Sequence, residues 1–205
     1  MAILNNATKE LQLKIVYYGP AMGGKTTNLV QIHDHLDVPP ETKGKLVSLA
    51  TSADRTLFFD FLPVHAISIK GFQVKFQLYT VPGQVIYNTT RQLVLRGVDG
   101  IVFVADSQYE KMAENVESFA NLEENLRTIG MSLDEIPYVL QYNKRDLPNA
   151  APIEYMEFLL NNRDIQVPSF PAVANRCEGV FETLNAIAKL VLYRYIYETT
   201  HAATV

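Results

Sequence analysis

Cysteine is nearly absent, with Cys177 the single thiol in 205 residues. One thiol cannot close a disulfide within the chain or build a thiolate zinc site, which suits a reducing compartment. Positive charge is not in excess either. Lys and Arg number 18 against 22 Asp and Glu, for a formal net charge of −4. No diffuse basic field therefore draws a polynucleotide, and nucleic acid is not expected as a partner. Long apolar runs are missing too, none approaching the roughly 18 residues of a membrane span. Residues 1–11 lack the charged start and apolar stretch of a secretory signal, and residues 200–205 hold no cysteine for prenylation. A cytoplasmic protein with no direct membrane anchor is expected. Hydrophobic residues, at 48%, suffice for one sizeable core, and residues 1–205 read as a single domain.

Continuous apolar runs alternate with amphipathic ones. Residues 11–18 read as a central strand, because Leu13, Ile15, Val16 and Tyr17 leave little room for a solvated face. A helix through residues 28–36 must stop before Pro39-Pro40. Residues 45–50 read as a short strand and the polar residues 51–56 as a loop. Residues 66–69 and 74–79 alternate apolar with polar side chains around a turn, a hairpin signal. Pro82 and Gly83 end its second arm, and a helix with Leu93, Val94 and Leu95 follows. Strands over 100–105, 136–142 and 169–174 then alternate with helices over 112–129, 151–160 and 180–197. This order predicts an α/β fold with a mostly parallel sheet, one antiparallel strand from the hairpin, and helices on both faces. Ligands in such sheets sit beyond the carboxyl ends of the strands, where every motif of this chain falls.

Gly19-Pro20-Ala21-Met22-Gly23-Gly24-Lys25-Thr26-Thr27 fits the phosphate-loop pattern GxxxxGK[ST] between a predicted strand and a predicted helix. Backbone N–H groups from Met22 to Thr27 would cradle phosphate oxygens, helped by the helix dipole, while Lys25 reaches the β- and γ-phosphates and the Thr26 hydroxyl ligates Mg²⁺. Asn143-Lys144-Arg145-Asp146 matches NKxD. An ionised Asp146 can accept from both guanine N1–H and N2–H₂, a donor pair that adenine lacks. Asn143 would brace the phosphate loop and the Lys144 stem would lie over the base. Elsewhere, His33, His35 and His65 show no zinc spacing, Glu123 and Glu124 read as a solvated helical face, and Cys177 has no evident activating partner.

The chain resembles the Ras-like small GTPases and, within them, the bacterial MglA group that regulates cell polarity. The resemblance runs through KIVYYGP (14–20), TKGKL (42–46), DRTLFFDFLP (54–63), TVPGQ (80–84), RGVDGIVFVADS (96–107), YNKRDLPNA (142–150) and GVFETL (179–184). It implies a Ras-like P-loop GTPase domain that switches between GTP and GDP. It also implies that Thr56 meets Mg²⁺ and the γ-phosphate, that the Gly83 N–H senses that phosphate, and that Gln84 orients the attacking water. Arg55 resembles an arginine finger supplied by the protein itself. Ala174, with Val173 and Asn175 beside it, matches the loop whose N–H meets guanine O6. The implied partners are a roadblock-fold activating protein like MglB, an exchange factor, and polar or motility effectors that would recruit the chain to a cell pole.

Two departures from the Ras pattern stand out. Thr80 replaces the acid of DxxGQ that holds Mg²⁺ through water, with Asp54 and Asp60 the nearest carboxylates in sequence. Ala21 and Met22 stand where glycines are usual, and bulk at Ala21 would crowd the glutamine or the finger. These leave open a nucleotide-dependent scaffold with negligible hydrolysis. A P-loop kinase is a weaker reading, because it does not explain the NKRD string.

Overall fold

The computed structural model describes residues 2–36, 45–50, 56–69, 71–84 and 87–202, with the backbone alone over 48–50 and 56–69 and at 202. Strand β1 (Ile3–Asn5) turns back into β2 (Glu10–Tyr18), which runs into helix α1 (Lys25–His35). Strands β3 (Val47–Ala50), β4 (Thr56–Ile69) and β5 (Phe72–Thr80) lead to α2 (Asn88–Leu95). Then come β6 (Gly100–Asp106), α3 (Met112–Thr128), β7 (Tyr138–Asn143), α4 (Ile153–Leu160), β8 (Ser169–Pro171) and α5 (Val180–Ala202).

All eight strands form one sheet in the order β3-β4-β5-β2-β6-β7-β8, with β1 paired to β2. From β5 to β8 every neighbouring pair is parallel, while β4 runs antiparallel to β5 as the hairpin signal predicts. The short β1, which carries no such signal, adds an antiparallel partner to β2 beside its parallel neighbours β5 and β6.

Side chains alternate across β2, and from Ile15 to Tyr18 both of its faces are buried. Val16 and Tyr18 join a core with α2, α3 and α4, whereas Ile15 and Tyr17 join a core with α1 and α5. That double burial is why β2 reads as continuously apolar and lies inside the sheet.

One expectation meets a different structure. Thr56, read as the last residue of a polar loop, instead begins β4, and residues 57–61 continue the strand. Leu57, Phe58, Phe59 and Phe61 are strand-favouring residues, and pairing supplies what the local pattern could not show. Phe61 pairs with Tyr79 of β5, and Thr56 pairs with Ala50 of β3.

The parallel strands end together. Tyr17 lies opposite Thr80, Tyr18 opposite Phe103, Asp106 opposite Asn143 and Tyr142 opposite Pro171. The segments that follow β2, β5, β6, β7 and β8 therefore converge on one edge.

Candidate nucleotide site

The phosphate loop is held by approaches that only glycine permits. A Cβ on Gly19, at φ 141°, would stand 2.2 Å from the Val104 carbonyl oxygen, and one on Gly24, at φ 102°, would stand 2.1 Å from Asn143 Nδ2. Gly24 caps α1 with no side-chain hydrogen bond. A glycine cap offers the helix start no side-chain acceptor of its own, the arrangement that favours an anion there. Lys25 is buried and curls over the loop, its Nζ donating to the carbonyls of Gly19 at 3.0 Å and Pro20 at 2.6 Å. Thr26 and Thr27 follow in the first turn of α1. Met22 occupies the left-handed region at φ 58° with its side chain 82% exposed, so the loop tolerates its bulk by turning it outward.

Asn143 joins three segments. Its Nδ2 donates to the Gly23 carbonyl at 2.9 Å, and its Oδ1 accepts the Ala174 N–H at 2.9 Å. The end of β7 is thereby pinned to the phosphate loop on one side and to the 172–175 segment on the other. The Ala174 proton expected to meet a base oxygen is engaged by Asn143, so a base would share it. Between these segments lies a cavity of about 160 Å³, lined by residues that include Met22, Gly24, Thr27, Lys144, Asp146 and Asn175. Val173 stands just outside it and accepts the N–H of Arg176 at 2.9 Å.

Lys144 is left-handed at φ 65°, and its ammonium reaches Asp106 at 2.6 Å. Asp106 is buried and fixed on other sides: Oδ1 accepts the Gln108 N–H, while Asn115 bonds both its N–H and its carbonyl. The Asp146 side chain is 19% exposed and has Arg176 at 3.7 Å. Neither Asp106 nor Arg176 stood out in the sequence. Asp106 only ends an apolar run, and its meaning comes from a lysine 38 residues away.

On the other side of the loop, Gly83 rests directly on Ala21; a Cβ there would stand 2.2 Å from Ala21 Cα. Gln84 follows, lining a hollow of about 380 Å³ with Pro20, Ala21, Glu114, Glu117 and Ser118. Ala21 thus crowds the glycine ahead of Gln84 through its backbone, with its methyl 3.0 Å from that same Cβ position. Thr80 is fully buried at the end of β5. Thr56 begins β4 across from Ala50, and Arg55 and Asp54 lie outside the described residues.

This cradle fits a nucleoside polyphosphate: glycine approaches, a glycine-capped helix start and a lysine converge, and a cavity beside them is lined by a carboxylate. No group of three or more His, Cys, Asp or Glu able to hold a metal occurs among the described residues. A cation here would rely on the Thr26 hydroxyl, the Thr56 hydroxyl expected from the sequence and the phosphates themselves, an oxygen donor set that suits Mg²⁺. Burial pushes the Cys177 thiol up, with Glu182 adding to the effect, which argues against a nucleophilic role.

The Ras family model matches residues 47–193. Over 192 residues the chain is 57% identical to the mutual gliding-motility protein MglA of Myxococcus xanthus, covering 94% of this chain and 96% of that protein. It is 32% identical over 91 residues to the GTPase Obg of Anoxybacillus flavithermus, covering 44% of this chain and 21% of that protein. No helix among the described residues is long and apolar enough to cross a membrane.

Proposed function

The chain belongs to the Ras family of small GTPases, and on that premise we propose that it is a GTP/GDP switch for cell polarity or motility. It hydrolyses GTP slowly alone and faster with an activating partner. The observation that carries this reading is the double clasp of Asn143, which holds the phosphate loop and the base-side segment around a cavity ending on Asp146. Asp146 selects guanine by accepting from two ring-edge donors, displacing the loose 3.7 Å contact with Arg176. Lys25 exchanges loop carbonyls for phosphate oxygens while staying inside the same hollow. The Thr26 and Thr56 hydroxyls would hold Mg²⁺, which would supply charge neutralisation to the phosphates. Gln84 orients the attacking water, and Arg55 stabilises charge developing on the transferred group, an effect typically worth about 10³ to 10⁵ in rate.

The similarity to the gliding-motility protein supports the motility role. The proposed partners, a roadblock-fold, MglB-like activator, an exchange factor and effectors at a cell pole, are those that the family resemblance of the sequence implies. Single-turnover hydrolysis with and without the activator tests the reading. Gln84→Leu and Arg55→Ala should each abolish stimulated turnover, and unchanged stimulated rates would remove the roles assigned to these two residues. No loss of GTP over many hours with the activator present would favour a scaffold without hydrolysis, the outcome to which the buried Thr80 and the Gly83–Ala21 contact would lend themselves.

A further inference from the structure

We infer that Arg91 is a positioning residue: it aims the backbone of Gly83 and Gln84, and the chain's discrimination between GTP and GDP runs through it. The inference rests on the switch reading above. Arg91 lies in the first turn of α2 and is fully buried, yet among the described residues it forms no ion pair. Its donors end on uncharged acceptors. Nε donates to the Pro82 carbonyl at 2.8 Å and Nη2 to the Gly83 carbonyl at 2.5 Å. Nη1 donates to Asn121 Oδ1 at 2.5 Å and to the Tyr18 hydroxyl at 3.2 Å. The guanidinium carbon also lies 5.0 Å from the centre of the Tyr18 ring.

A buried cation without a counter-ion is a poor choice for stability, and a well-packed apolar side chain commonly serves as well or better. What a guanidinium provides is a rigid fork that grips two carbonyls at once, which an ammonium cannot copy. The two it grips belong to the turn carrying Gly83 and Gln84. Peptide units are planar, and none in the described chain is cis. Each carbonyl therefore points opposite to the N–H of the next residue. Fixing the Pro82 oxygen on Arg91 turns the Gly83 N–H away from Arg91, and fixing the Gly83 oxygen does the same for the Gln84 N–H. Gly83 meanwhile sits against Ala21 of the phosphate loop. The N–H directions of the γ-phosphate sensor and of the water-orienting residue are thus set from behind, by a side chain on the carbonyl side of the turn.

The test compares the whole chain with Arg91→Lys, Arg91→Met and, as a control, Tyr18→Phe, which removes one acceptor of the fork and leaves both switch carbonyls in place. With Mg²⁺ present, the dissociation constants of GDP and of a non-hydrolysable GTP analogue are measured, together with single-turnover hydrolysis and melting temperature. Both Arg91 variants should hold GDP within about twofold of the parent, lose about tenfold of analogue-over-GDP preference, and hydrolyse about tenfold more slowly, an effect within the usual range of coupling between sites. Tyr18→Phe should stay within about twofold on every measure. A parental analogue-to-GDP ratio and rate in Arg91→Lys would overturn the inference, as would equal losses for both nucleotides in step with a lower melting temperature. If the variants do not fold, the Nε–H resonance of Arg91 in the parent decides: it should shift between the GDP and analogue forms, and an identical resonance in both would refute the idea. A parent that itself neither hydrolyses GTP nor distinguishes the two nucleotides would instead remove the switch reading.

Discussion

At the scale of single residues, the side chain on which the most geometry depends is Asn143. Deleting its amide leaves the Gly23 carbonyl and the Ala174 N–H without partners where both are screened from water. Each orphaned buried group costs about 1–3 kcal/mol. Asn143→Ala should therefore lower unfolding free energy by a few kcal/mol in urea, and should weaken GTP and GDP together, since the clasp acts on loop and base side alike. Selective loss of one nucleotide in a binding titration would contradict this account. Loop and base motifs were legible because they are local strings whose chemistry is tied to their spacing. The polar groups that hold them were not. Asn28 and Gln141 exchange amide hydrogen bonds at 2.8 and 2.9 Å across 113 residues, and Arg91 reaches Tyr18 across 73. Asn28 sits in an amphipathic helix and Gln141 in an apolar strand, where neither announces a partner.

At the scale of elements, the interior strands were readable because burial on both faces leaves an unbroken apolar run. Strand β1 was not, since Ile3 is 60% exposed, Leu4 is 46% exposed, and neither belongs to a core pattern. The start of β4 was not readable either, because non-local pairing with β3 and β5 sets it. Helix α5 shows the limit of the periodic signal: it continues to Ala202, beyond the apolar stripe that stops near Tyr197. Where it crosses the sheet, α5 packs so closely on β6 that a Cβ on Gly100 would lie 2.3 Å from Val191 Cγ2 and 3.1 Å from Ile187 Cδ1. Gly100→Ala should overpack this contact and destabilise by about 1–3 kcal/mol. The same substitution in a Val191→Ala background should cost less, and a double-mutant cycle by chemical denaturation reads the difference. Strict additivity would show that the α5–β6 contact relaxes by some other route.

At the scale of the whole molecule, the tyrosines make the fold sensitive to alkali. Burial raises the hydroxyls of Tyr17, Tyr18, Tyr138 and Tyr142 above their usual range, with Tyr138 pushed up to about 12. A group that holds its proton more tightly when folded contributes its full stability below the unfolded value, near 10 for tyrosine. That contribution is lost as pH rises from there towards the folded value, because the unfolded chain sheds a proton that the folded one keeps. Each such group contributes a slope of about 1.4 kcal/mol per pH unit in that window. Lys14 acts with the opposite sign. Burial lowers its value against the pull of Asp99, so the penalty on its charged form is relieved as pH rises towards 10.5. One lysine opposes these four tyrosines and Tyr79, which burial raises as well, and the net slope above pH 10 is downward. Melting temperature should hold steady from neutral pH to about 9.5 and fall steeply by about 11. The Tyr138 hydroxyl has no hydrogen-bond partner among the described residues, so Tyr138→Phe should leave neutral-pH stability nearly unchanged and make the alkaline fall shallower. Parallel thermal melts of parent and variant across that range check both halves: equal alkaline slopes would mean that Tyr138 titrates alike in the folded and unfolded chains.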